Sequence, residues 1–233
     1  MTAVNPTPVA VVRVPAAGLR HQVRGAAVVG QREMIRFGRD RSRIVSSLVQ
    51  PVLFLFVLGT GLSSLIASNG DVDFRTFLFP GVLATSVLFT AAFSGISMVW
   101  DREFGFLREM LVAPVSTTAI LTGKCLGGAT VATLQSLIIL ALAGLVGVPY
   151  DLVMMAELVG LLFLMAFMIC ALGLFLSARV KQVQSAMPLV QLTITPLMFL
   201  SGSLFPLSNL PGWLHVATIL NPMTYAVEPI RST

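Results

Sequence analysis

Charge is scarce in this 233-residue chain, yet five ionised side chains fall within nine positions: Asp101, Arg102, Glu103, Arg108 and Glu109. Nothing beside them forms a nucleophile–base pair. The two histidines, His21 and His215, are far apart in sequence, and Cys125 and Cys170 lie in or at the edge of apolar runs. There is no HExxH pattern and no pair of carboxylates within an apolar run. A phosphate-binding G-x-x-x-x-G-K-[ST] loop is also missing, because Gly123-Lys124 lacks the upstream glycine and the following hydroxyl residue. The sequence therefore offers no catalytic residue, no metal site and no cofactor bound by this chain. What the charged cluster can do is form charge-assisted hydrogen bonds to another protein.

The segment carrying the cluster is shaped for such a contact. Phe106, Leu107, Met110 and Leu111 recur at helical spacing and predict one apolar face, with Arg108 and Glu109 directed away. Within this short helix, about 103–113, Gly105 loosens the chain just before that face, and Pro114 ends the helix by removing an amide donor. Ser116, Thr117 and Thr118 can cap the next helix.

The flanking elements are membrane spans. Hydrophobic residues make up 56% of the chain and charged ones 11%, and the mean hydropathy is +0.90. The expected fold is all-α, a polytopic helical membrane protein with five spans at about 44–67, 76–100, 120–147, 152–178 and 183–205. Residues 1–25, rich in Pro, Ala and Val, read as a flexible cytoplasmic tail before a membrane domain over 26–233. From Ala26 the pattern turns helical, and Arg32, Arg36, Arg39 and Arg43 form one stripe suited to an anionic membrane surface. In the second span Ser86, Thr90, Ser94 and Ser97 share a face, as residues at a helix–helix contact, a dimer face or a substrate path would. Gly123 and Gly127 form a small-xxx-small pair suited to close packing. After 205, Pro206, Pro211, Gly212 and Pro222 break the apolar run into short outer-surface helices over 206–231, with Trp213 and Tyr225 at headgroup level.

The basic residues set the orientation. Of 15 Lys and Arg, 13 fall in segments this topology puts inside, and only Arg75 and Arg231 fall outside. The expected location is a cell membrane, crossed several times, with the N-terminus cytoplasmic. The net charge of +5 is thus explained by the lipid bilayer and not by nucleic acid, since no aromatic or sheet platform accompanies it.

Two stretches resemble a known family. DREFGFLREMLVAPVSTTAILTGK, residues 101–124, is similar to the cytoplasmic signature of type-2 ABC exporter permeases. FLSGSLFPLSNLPGWLHVATILNPMTYAVEPIR, residues 199–231, resembles the family's outer segment with its SG-x-LFP, LP-x-W and NP-x-TY elements. The wording of the first leans toward the drug- and antibiotic-resistance branch, such as the daunorubicin-type permeases.

The resemblance implies a homodimer of permeases with two separate ATPase subunits, which alone hold ATP and Mg. The helix after the second span would be a coupling helix seated in the ATPase, through Asp101, Glu103, Gly105, Phe106, Leu107, Arg108, Glu109, Met110 and Pro114. Arg32, Arg36, Arg39 and Arg43 would lie on an interfacial elbow helix, and Arg179 and Lys181 would make a second cytoplasmic contact. Many members carry Glu where this chain has Arg108, and a basic or amide residue where it has Glu109, so the partner charges stay open. The family also has a sixth span, whereas this chain stops at Thr233, and a shortened sequence is expected.

The implied activity is outward movement of hydrophobic drugs, antibiotics or lipid-like molecules, driven by the partner's ATP. Rivals are a polysaccharide or glycolipid exporter, disfavoured by 8% aromatic residues, and an intramembrane enzyme or assembly factor, which would need convergent polar groups in the bundle.

Overall fold

The computed structural model describes residues 18–58, 74–113, 115–141, 152–202, 212–221, 223–224 and 227. The regular structure among the described residues is helical throughout. In order, the α-helices are α1 (Leu19–Arg39), α2 (Arg41–Leu53), α3 (Phe74–Glu103), α4 (Phe106–Val112), α5 (Thr117–Ala141), α6 (Leu152–Ala178), α7 (Val183–Leu200) and α8 (Gly212–Leu220). A π-helical turn, Phe54–Leu58, continues α2.

α3 is the axis of the bundle, with α5, α6 and α7 packed around it. It is apolar on nearly every side because it is covered on nearly every side, and Leu83, Val87, Leu88, Ile96 and Val99 are all buried. In lipid this association rests on close packing more than on expelling water, so small residues mark the crossings. A Cβ placed on Gly95 of α3 would come within 2.6 Å of the Gly173 backbone on α6. On α5, a Cβ at Gly127 would lie 2.9 Å from the Gly30 Cα of α1. The expected small-residue pair at Gly123 and Gly127 is therefore where α1 docks.

α1 departs from expectation at both ends. It begins at Leu19, within the segment expected to be a tail, because it is anchored along α5 and is not merely resting on lipid. It stops at Arg39, so the arginine stripe is broken and the backbone of Arg43 belongs to α2. The break is Asp40, which leaves helical geometry and whose carbonyl accepts the first α2 bond from Ile44 N–H at 3.1 Å. Aspartate favours this N-terminal boundary position.

Four helices are long and apolar enough to cross a membrane among the described residues: Phe79–Glu103, Thr117–Ala141, Met155–Ala178 and Val183–Leu200. These fall on the second to fifth expected spans. Of the first, the described part is the shorter apolar stretch Ile44–Leu53 and the π-helical turn, and 59–67 lie outside the described residues. Residues 1–17, 142–151, 203–211 and 228–231 also lie outside them, as do Pro114, Tyr225 and the side chains of Arg43 and Trp213. Gly202, with φ 71°, ends α7 in the left-handed conformation common after a helix. Past α8, Asn221 donates to the Leu197 carbonyl at 2.8 Å and Thr224 to the Leu200 carbonyl at 3.3 Å. The NP-x-TY element thus satisfies carbonyls at the end of α7 that its own helix leaves open.

Candidate functional site

Arg32, Glu33, Asp101, Arg102, Glu103 and Lys124 converge at one end of the bundle, where α1, α3, α4, α5 and the α6–α7 turn meet. Its centre is Lys124. Ser116 caps α5, accepting from Ala119 N–H at 3.2 Å, so Lys124 falls two turns inside that helix and is only 2% exposed. Its ammonium donates to Glu33 of α1 at 3.0 Å, to Ser97 of α3 at 3.2 Å and to the carboxylate of Asp101. Arg32 reaches the other Asp101 oxygen at 3.5 Å from a half-exposed position. Two carboxylates thus face two cations, and that balance is what burial of charge requires.

The same end holds the α6–α7 turn. Arg102 donates to the Val180 carbonyl at 2.8 Å. Glu103 accepts the Val183 N–H at 2.9 Å, which places a carboxylate on the N-terminus of α7. Beyond it the chain turns at Gly105, whose φ of 82° lies in the left-handed region that glycine adopts without strain. A Cβ there would meet no atom within 4 Å, so the demand for glycine is one of backbone angle and not of space.

α4 is then laid against α1. The Arg32 guanidinium lies over the Phe106 ring at 5.4 Å, and an Arg32 N–H reaches the Met110 sulfur at 3.5 Å. Leu107 packs on Met98, Cys125 and Leu174. At its far end Ser116 donates through both N–H and hydroxyl to the Gln22 side chain of α1, at 2.9 and 2.6 Å. α4 is consequently a short helix fixed by its own chain on one side and open on the other.

This geometry corrects several expectations. Asp101, expected to touch the ATPase, is 2% exposed with both oxygens engaged inside the chain. Leu107 and Met110 turn inward, while Phe106, Leu111 and Val112 are exposed, Val112 by 84%. The helix is shorter than the expected 103–113, since Glu103 ends α3 and Gly105 precedes α4. Arg108 and Glu109 are exposed, as are Arg36, Arg39, Arg179 and Lys181. Arg36 shares a crevice with Arg32, Trp100 and Phe104, and Arg179 lies over Phe175 at 5.9 Å.

The hydroxyl stripe of α3 faces this chain's own helices and is buried by them, which corrects its reading as a dimer face. Ser97 belongs to the Lys124 cluster, and Ser94 lies against the place a Gly128 Cβ would fill. Thr90 donates to Gln135 of α5 at 2.8 Å, and Ser86 lines a cavity beside it. Glu33, Lys124 as an interior residue, and Gln135 were not legible as site residues. Once Ser116 is taken as a cap, though, a lysine two turns into an apolar helix signals a buried partner.

A charged junction at one end of a bundle of long apolar helices, with a short helix outside the bundle, is the architecture of a multi-span membrane protein. The family model described as ABC-2 type transporter matches residues 26–233, and the chain belongs to that family as a permease subunit. It is 28% identical over 210 residues to a chain from Cyanophora paradoxa named as a transport permease, ycf38, covering 88% of this chain and 72% of that one. It is 28% identical over 192 residues to Nodulation protein J of Rhizobium leguminosarum bv. viciae, covering 82% and 74%. It is 29% identical over 165 residues to YbhR of Escherichia coli, named as a multidrug ABC transporter permease, covering 69% and 44%.

Proposed function

We propose that this permease works as a dimer of two copies over two separate ATPase subunits and moves hydrophobic or amphiphilic molecules outward across a cell membrane. The observation that carries this reading is α4, held by Arg32 through Phe106 and Met110, and by Leu107, while Arg108, Glu109, Leu111 and Val112 stay exposed. α4 is the coupling helix, α1 the elbow helix, and the Arg179–Lys181 turn lies on the same cytoplasmic side. α2 and the π-helical turn belong to a fifth span, and the N-terminus is cytoplasmic. When ATP closes the ATPase dimer, α4 is displaced. The Lys124 junction passes that displacement to α1, α3 and α5 as one unit, because it ties all three.

The multidrug name of one relative supports drugs or antibiotics as cargo, which suits the daunorubicin-type branch. Hydrolysis with ATP and Mg belongs to the partner. Inside-out vesicles carrying the permease and its ATPase should accumulate a fluorescent amphiphile when ATP is added. Vesicles carrying the ATPase alone should not, and equal accumulation in both would sink the reading.

A further inference from the structure

The Thr90–Gln135 bridge lines a cavity of about 250 Å³ between α2, α3 and α5. That is room for about eight waters at their liquid volume, or for a compact headgroup. Its place along the bundle can be worked out. Thr90 stands eleven residues before Asp101 on α3, and Gln135 eleven after Lys124 on α5. At 1.5 Å per residue both lie ~16 Å from the charged junction, near the middle of a ~30 Å hydrocarbon core.

The polar groups here originate in α2. Pro51 has no N–H, so the Ser47 carbonyl one turn back loses its helical donor. Gln135 supplies one from α5, its amide donating to Ser47 O at 3.2 Å, while its own oxygen accepts from Thr90. Immediately after, the chain takes its π-helical turn, and Phe54 at the start of that turn lines the cavity. Such turns often mark functional positions.

The lining has a definite polarity. Among the described residues that form it, none is Asp, Glu, Lys, Arg or His. Three of its hydroxyl protons are committed within their own helices: Thr85 donates to Gly81 O at 2.7 Å, Ser86 to Leu83 O at 2.7 Å and Ser47 to Ile44 O at 2.9 Å. Each of these oxygens still accepts, and Gln135 keeps a second N–H. Rings of Phe54, Phe89 and Phe93 supply the apolar lining, the last two stacked at 6.4 Å. A ligand that suits this set donates several O–H groups and offers an apolar face. A charged head would be buried without a counter-ion, at high cost.

We infer that this cavity binds the uncharged, polyhydroxylated head of an amphiphile, held by Gln135, Thr90 and Thr85. Calling that ligand cargo rests on the export reading, whereas the site itself is tested without ATPase, so the two fail separately.

The full chain in phosphatidylcholine nanodiscs is titrated with radiolabelled hexyl β-glucoside against empty nanodiscs. The expected result is saturable binding that unlabelled hexyl glucoside displaces and that hexyl sulfate, hexylammonium and hexylbenzene do not. Gln135→Leu should weaken it about tenfold, as loss of a buried hydrogen bond does. Thr85→Val, which removes an acceptor whose own proton goes to the Gly81 carbonyl within its helix, should weaken it several-fold in a chain that folds normally. Binding no greater than to empty nanodiscs overturns the assignment. So does equal displacement by any of the three other probes, or wild-type affinity in both variants.

Discussion

Replacing Lys124 with Met removes the one ammonium that Glu33, Ser97 and Asp101 share. The side chain that replaces it fills similar space but leaves two carboxylates close together, with only the half-exposed Arg32 to answer them. Breaking a buried ion pair from one side costs about 3–5 kcal/mol, because the remaining charge is stranded. For a chain of this size that corresponds to a melting shift of roughly 6–20 °C. Adding Glu33→Gln to Lys124→Met restores the charge balance, leaving Asp101 with Arg32. The double variant should therefore recover more than half of the loss, since deleting both members of a buried pair is often close to neutral. The assay is thermal unfolding of purified protein in nanodiscs, followed by tryptophan fluorescence. A Lys124→Met protein that melts as wild type would refute the buried junction. A double variant no more stable than the single would refute the charge-balance reasoning.

Other changes should act through backbone and packing. Gly105→Ala forces an L-residue into the left-handed region and should cost about 1–2 kcal/mol locally, loosening α4 with little change in melting, as faster proteolysis at residues 104–113 would show. Gly95→Ala pushes a methyl into the Gly173 backbone and should lower stability by about 1–3 kcal/mol, read as reduced abundance and melting temperature. Cysteines placed singly at Asp73, Pro149 and Ser208 should react with an impermeant thiol reagent added outside intact cells, whereas one at Arg108 should not. Outside labelling of position 108 would reverse the orientation.

Much of the architecture was legible because span length and charge position are coarse signals that survive tertiary detail. The Leu152–Ala178 helix and the start of the one at Val183 fell where the apolar runs begin. Ser116 was readable as a cap, and Gly123 with Gly127 as a packing surface, because each signal is local. The Lys124–Glu33 pair was not, since its members lie 91 residues apart and only docking of α1 on α5 brings them together. The seven-residue α4 spans too few turns for periodicity to say which apolar residues turn inward, so Leu107 and Met110 stood on one face with Phe106 and Leu111. Which side chain takes up the carbonyl that Pro51 frees depends on the neighbouring helix, and so was not legible.

The contact that would link ATP to movement is tested most directly on the open side of α4. Leu111 and Val112 do not support the bundle, so replacing either with Asp should leave the fold intact. If each is buried by the ATPase it contributes about 1–3 kcal/mol to the contact, and a charge there should remove more than that gain. The measurement is co-purification of the ATPase subunit with Val112→Asp permease, normalised to permease amount and accompanied by its melting temperature. The expected result is wild-type melting with little or no ATPase retained. Wild-type melting with wild-type ATPase recovery would contradict the assignment of α4 as the coupling helix.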